Sequence, residues 1–269
     1  MIIERRTLAR DVHLEGLGLH TGVPVKVRIS PGETGIAFRY GGTRTTATPE
    51  NVTDTTRSTK LGEVGTIEHL MSALAACEIT DAEIELDAPE LPGMDGSAAQ
   101  FVAALQESGS QVLTPRELPS LFSRVFHQED DGLKLAIGKG SGHWRYVFQT
   151  GSRWPYEQAY ELDDVVSGYV AEIAPARTFA LAEEIPHIIQ MGLGRGLDET
   201  SALVLGIEGY KNEARFPEEP ARHKLLDLIG DLYLAGVPIK MLNVVGERTG
   251  HRANVQVAAM LARAVAVPA

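Results

Sequence analysis

Three observations predict an α+β fold of two related halves for this 269-residue chain. Strand-like alternation and helix-like periodicity come in mixed blocks. A proline-bearing stretch of low apolar content divides the chain near its middle. One helix, strand, loop, helix unit recurs at a single offset. The length is enough for two ordinary domains, each able to bury a core.

Taken in order, "VKVRIS" puts Val25, Val27 and Ile29 on one face and Lys26 and Arg28 on the other, the period of a half-buried strand. "TIEHLMSALAAC" (66–77) carries apolar residues at helical spacing, "AEIELD" from Ala82 alternates again, and "SAAQFVAALQESG" (97–109) returns to the helical period and ends at a glycine. "VLTPRELPS" (112–120) is the expected linker, dividing the chain into residues 1–116 and 117–269. Beyond it "LKLAI" from Leu133 predicts a strand, and "RHKLLDLIGDLYLAG" (222–236) and "RANVQVAAMLARAV" (252–265) predict helices. His69 and His223 lie 154 residues apart, each near the start of an apolar helix. Gly96–Ser97 and Gly250–His251 keep the same spacing and open another helix. The pattern points to duplication, with a site between the halves, where pockets often form.

With 36 acidic against 25 basic residues, the net charge of −11 excludes broad non-specific attraction to nucleic acid or anionic lipid. An anionic substrate must therefore meet a local cluster of cations. The one cysteine, Cys77, excludes a disulfide framework and reads as a small core residue inside "LMSALAACEI". No segment reaches the ~20 apolar residues a bilayer span needs, and "MIIERRTLARDVHLEG" has no apolar leader core, so a cytoplasmic protein with at most peripheral membrane contact is expected.

"RHKLLDLIGD" places His223, Asp227 and Asp231 at intervals of four. Four residues advance a helix ~6 Å and turn it only ~40° past a full rotation, so His223 and Asp227 share a face and can bind one ion. His69, in "GTIEHLMSAL", supplies a third donor from the matching helix. Two imidazoles, one carboxylate and an open fourth position form the ligand set of a catalytic zinc, although such nitrogen and oxygen donors also admit iron. Glu68, next in sequence and ~100° round the helix, is a general-base candidate for the metal-side water. Asp231, one turn further on, is placed to hydrogen-bond an imidazolium and make it a better acid. His251, in "ERTGHRANV", is the remaining histidine that opens a helix.

Lys224, beside His223, could bind a negatively charged part of a substrate. "ARTFAL" offers Thr178 as a hydroxyl for a developing oxyanion and Phe179 as an apolar or stacking surface, though spacing alone singles out neither. His20 sits in "GLGLHTG", whose glycines permit tight turns that bring backbone close to a ligand, and it joins the substrate-contacting candidates. An alternating strand follows Gly16, Gly18 and Gly22, which does not fit a phosphate loop. His13, His127, His143 and His187 stand among polar neighbours and read as solvated.

These stretches resemble the zinc-dependent UDP-3-O-acyl-N-acetylglucosamine deacetylase family of lipid A biosynthesis. "RTL" with "GLGLHTG", "TIEHLMSALAA", "ELPGMDGSAAQFV", "ARTFAL", "EEPARHKLLDLIGDLYLAG" and "GH" before the last helix match its landmarks in its order, from about residue 5 to 265. The resemblance implies two α+β domains related by duplication, each a two-layer sandwich of helices on a β-sheet, with the active site at their junction. It implies one Zn2+ per chain on His69, His223 and Asp227, with Glu68 as base, His251 as acid and Asp231 orienting it. Thr178 falls on a position that assists the oxyanion, Lys224 on one that contacts substrate and Phe179 on one that packs against it. The implied partner is a small UDP-acyl-sugar, acted on by a monomer.

One departure is visible. "GLGRGLDETSAL" has Leu197 and Asp198 where the family's small-residue passage would carry glycine and serine, so a narrowed or reshaped acyl passage is expected, which leaves the acyl length and the need for an acyl chain open. A same-fold deacetylase acting on another N-acetylated sugar is the alternative it raises; a catalytically silent homologue is a more distant one. Arg57 and Lys60, in the short loop before "GTIEHL", are candidate cations for a nucleotide diphosphate.

Overall fold

The computed structural model describes residues 2–118, 124–130 and 132–266. In chain order the first half runs β1 (Ile2–Leu8), β2 (Val12–Leu17), β3 (Pro24–Pro31), β4 (Ile36–Tyr40), β5 (Thr43–Thr46), β6 (Val52–Asp54), β7 (Lys60–Leu61), α1 (Glu68–Ala76), β8 (Ala82–Leu86), α2 (Ala99–Ser108) and β9 (Ser110–Glu117). The second runs β10 (Arg124–Gln128), β11 (Lys134–Lys139), β12 (Trp144–Gln149), β13 (Glu157–Leu162), α3 (Val165–Glu172), β14 (Phe179–Leu181), α4 (Ile185–Gln190), β15 (Leu203–Leu205), α5 (Glu219–Tyr233), β16 (Leu242–Glu247) and α6 (His251–Ala266).

Two five-stranded sheets carry the same topology, β2-β3-β8-β4-β5 and β10-β11-β16-β12-β13. In each, every neighbouring pair is antiparallel except one, β4 with β8 and β12 with β16. The parallel pair follows from connectivity: a crossover containing α1 or α5 must separate its two strands. The duplication read from the 154-residue offset is thus a duplication of whole sheets and their helices.

On β3, Val25, Val27 and Ile29 are buried while Lys26 and Arg28 face out, as the alternation predicts. Both halves contribute to one continuous apolar core, from Ile29, Ile84, Leu70 and Leu74 to Leu225, Ile229, Trp144 and Val244. Every residue of α1 is buried, so this helix has no solvent face. It packs on α5, where a Cβ built on Gly230 would stand 2.0 Å from the Glu68 carbonyl oxygen. Glycine at 230 is what lets the two backbones approach that closely.

The expected linker is corrected in part. Residues up to Glu117 form β9, which pairs antiparallel with β1, one residue past the expected boundary at 116. Pro115 is compatible with this strand because the register shifts opposite Glu4, between the pairs Ile3–Arg116 and Arg5–Leu113, and a bulge needs no donor from proline. Pro119 and Ser120 lie outside the described residues. Elements between 139 and 218 went unread in the sequence. β12, "WRYVFQ", is interior to its sheet and nearly continuous in apolar character rather than alternating, and α3 and α4 are too short to establish a period.

Candidate active site

The helix starts of α1 and α6, the first turns of α5, and β14 converge on a cleft of about 590 Å³ between the halves. His69 and His223 meet edge to face, ring centroids 5.0 Å apart. Asp227 Oδ1 lies 3.5 Å from His223 Nε2 and 3.7 Å from His69 Nε2. The three offer donor atoms all within 4.8 Å of one another. Although buried, Asp227 Oδ1 has no hydrogen-bond partner. A buried carboxylate oxygen left unpaired is costly, and two imidazole nitrogens aimed at the same point show what would satisfy it: a cation. Asp227 Oδ2, in contrast, accepts a bond from Lys224 Nζ at 2.9 Å.

Electrostatics sort the three buried histidines. Burial and the neighbouring His223 push His69 down to about 3, and burial likewise lowers His223, so both are neutral imidazoles suited to a metal. His223 Nδ1 donates to the Ala176 carbonyl at 3.0 Å, leaving the Nε2 lone pair towards Asp227. His251 behaves oppositely. Burial opposes its charge, but the Asp231 carboxylate, with Oδ2 3.0 Å from Nδ1, raises it to about 9. Glu68, Asp227 and His251 also gather polar atoms within 4.8 Å. A protonated imidazole has no lone pair to give a metal, whereas it can give a proton. Burial raises Glu68 to about 8, opposed by His251 and reinforced by Asp231 and Asp227. For Asp227, burial works towards protonation and Lys224, then His223, overcome it, holding the carboxyl well below the usual range.

Thr178, Phe179 and His20 line the same cleft. Thr178 is fixed by its own backbone, its N–H bonded to the Gly96 carbonyl and its carbonyl to the Leu203 N–H. Gly96, at φ +78°, admits that approach, since a Cβ there would collide with the Ser201 carbonyl. The Phe179 ring stands edge-on to His223, centroids 6.1 Å apart, with Lys224 Nζ 5.5 Å from its own centroid. His20 is lowered by burial, and its Nδ1 is buried without a hydrogen-bond partner. Its backbone N–H is held by Glu90, which also accepts bonds from Thr21 and Thr66.

Other expectations divide. His13 and His187 are exposed, while His127 and His143 are half-buried and pair with Glu129 and Asp163. Cys77 sits against the core with its thiol pushed up to about 11 by burial, the opposite of a reactive thiolate. Arg57 lines the cleft and pairs with Glu184 at 2.9 Å, whereas Lys60 lies on β7, outside that lining. Leu197 is not among the residues lining this cleft, and Asp198 forms a local cap on the Thr200 and Ser201 N–H groups. Sequence reading missed Thr59, Asn254 and Glu90. Asn254, three residues beyond His251 on one helix face, was findable by spacing; Thr59 and Glu90 lie in loops with no periodic signal.

Fold and cleft together fit a class, a metalloenzyme whose candidate metal-binding set lies between duplicated halves. The model of a family described as UDP-3-O-acyl N-acetylglycosamine deacetylase (LpxC) matches residues 5–263. The chain belongs to this family. A relative from Myxococcus xanthus is 38% identical, covering 93% of this chain and 83% of its own length; one from Acidithiobacillus ferrooxidans is 37% identical, covering 94% and 86%. A relative from Neisseria meningitidis serogroup C is 35% identical over 93% of this chain and 87% of its own. All three bear the name UDP-3-O-acyl-N-acetylglucosamine deacetylase. Among the described residues no helix is long and apolar enough to cross a membrane.

Proposed function

We propose that this protein hydrolyses the acetamide of UDP-3-O-acyl-N-acetylglucosamine to acetate and the free amine, a step of lipid A biosynthesis, working between domains of residues 1–116 and 117–269. The observation that carries the reading is the unpartnered Asp227 Oδ1 between two neutral imidazoles, with a carboxyl and a charged imidazole on its other side. His69, His223 and Asp227 would hold one Zn2+, which supplies Lewis acidity and makes water a nucleophile at neutral pH.

The chain's own groups do the rest. Glu68, as carboxylate, takes the proton of the attacking water. A neighbouring dication favours that ionised form, against the burial that otherwise raises it. The Thr178 hydroxyl donates to the oxygen that gains charge, a contribution of the kind worth ~3 kcal/mol at other oxyanion sites. His251, protonated at neutral pH and held through Nδ1 by Asp231, delivers a proton to the departing nitrogen. Phe179 packs against the sugar, and Lys224 and His20 contact its polar groups. The local cations required by an overall charge of −11 are present, since Arg57, Arg153, Lys224, Arg248 and Arg252 line the cleft. A cytoplasmic monomer is part of the same proposal.

The test is turnover of UDP-3-O-acyl-N-acetylglucosamine beside UDP-N-acetylglucosamine, with wild type and Glu68→Ala at equal zinc content. Wild type is expected to prefer the acylated sugar, and the variant to lose ~10²–10⁴-fold in kcat. Equal turnover of both sugars would move the assignment to another N-acetylated substrate, and a fully active Glu68→Ala would remove the base.

A further inference from the structure

Thr59 lies in the loop between β6 and β7 and is completely buried. All three of its polar groups are committed. Its N–H donates to Glu68 Oε2 at 3.0 Å, its carbonyl accepts from Ile67 N–H at 3.1 Å, and its hydroxyl donates to Asp231 Oδ1 at 2.6 Å. The last bond spans 172 residues and crosses from one half of the molecule to the other. A single residue thus touches both the carboxylate proposed as base and the carboxylate that holds the proposed acid.

We propose that Thr59 is a positioning residue that locks the Asp231 carboxylate in the rotamer that orients His251, and that its hydroxyl thereby sets the rate of proton delivery to the leaving nitrogen. This rests on the acid role read for His251. A carboxylate turns broadly about its last torsion unless both oxygens are engaged. Asp231 Oδ2 is shared by His251 Nδ1 at 3.0 Å and Asn254 Nδ2 at 2.9 Å, and both donors belong to α6. Oδ1 is fixed from the opposite half by Thr59, so the carboxylate is pinned between the two halves rather than riding with α6. Without the hydroxyl, Oδ1 is a buried oxygen that must find another donor, and rotating towards one withdraws Oδ2 from His251. A metal ligand is not involved, so the cation's affinity is untouched.

Thr59→Val removes the hydroxyl at nearly constant volume, and Thr59→Ser keeps it. Thr59→Val is expected to lower kcat 10- to 100-fold with KM and zinc affinity within about threefold of wild type, and Thr59→Ser to restore kcat to within threefold. In an Asp231→Asn background, where the carboxylate is already gone, adding Thr59→Val is expected to cost less than twofold more. Thr59→Ala replaces the valine variant if that fails to fold. Loss of KM and zinc affinity in parallel with kcat, or an undiminished Thr59→Val effect in the Asp231→Asn background, overturns the proposal and leaves a merely structural threonine. An Asp231→Asn variant as active as wild type would remove the acid pair and Thr59's role with it. A tenfold loss in Asp231→Asn beside none in Thr59→Val would overturn Thr59 alone.

Discussion

The two halves share a topology strand for strand, and at the cleft they share one residue, histidine at 69 and 223; nearly every other chemical group differs. At the same 154-residue offset Glu68 faces Arg222, Ala73 faces Asp227, Cys77 faces Asp231 and Ser97 faces His251. Of the three acidic side chains at the centre, the second half carries Asp227 and Asp231, together with the charged imidazole; the first half carries Glu68. Only the second half supplies a carboxylate to the paired rings, with Asp227 within 4 Å of both, while Ala73 at the matching offset is a buried core residue. The counterparts have become structural. Arg222 is stacked 3.6 Å from the Tyr160 centroid and 4.3 Å from that of Phe216, and the Ser97 hydroxyl bonds Asp95 at 2.7 Å in the turn before α2. Duplication supplies a symmetric pair of neutral imidazoles, and divergence around it places a charged imidazole and further carboxylates on one side.

The largest effect tests the symmetric part. His69→Ala and His223→Ala are each expected to abolish turnover and stoichiometric zinc, read by metal analysis and assay; retention of either in one variant would break the equivalence of the two rings. The asymmetric part is tested by Asp231→Asn. If His251 is the acid, activity needs it charged and is expected to fall as pH rises through the folded value of about 9. Removing the anion lowers that value, and the alkaline limb of the kcat profile is expected to move to lower pH; an unmoved limb would assign it to another group.

A smaller effect concerns the surface where the halves meet. Gly230→Ala puts a Cβ against the Glu68 carbonyl and is expected to destabilise by ~1–3 kcal/mol through overpacking and to weaken zinc binding, measured by denaturation and metal titration. Its counterpart Ala76 already carries the methyl. The smallest is Arg222→Gln, in the position that mirrors Glu68. Loss of its two ring contacts is expected to lower stability by ~1–2 kcal/mol while turnover at permissive temperature is kept. A catalytic loss there would show that the mirror position still takes part.

Sequence by itself determined the α+β class, the duplication, seven elements and the six side chains that gather at the cleft, for which proton and metal chemistry is proposed. Backbone geometry makes period 2 and period 3.6 readable locally, and His223, Asp227 and Asp231 lie on one helix face whatever surrounds them. The order of the motifs then carried Thr178 and Phe179, which no spacing would have chosen. Only the tertiary structure decided that Leu197 stays out of the cleft, that Pro115 sits in a strand at a bulge, and that Thr59 and Glu90 brace the site. It also decided which histidines are neutral and which is charged. Those outcomes depend on burial and on partners up to 172 residues away, set by the packing of α1 against α5, and no window of local sequence contains that distance.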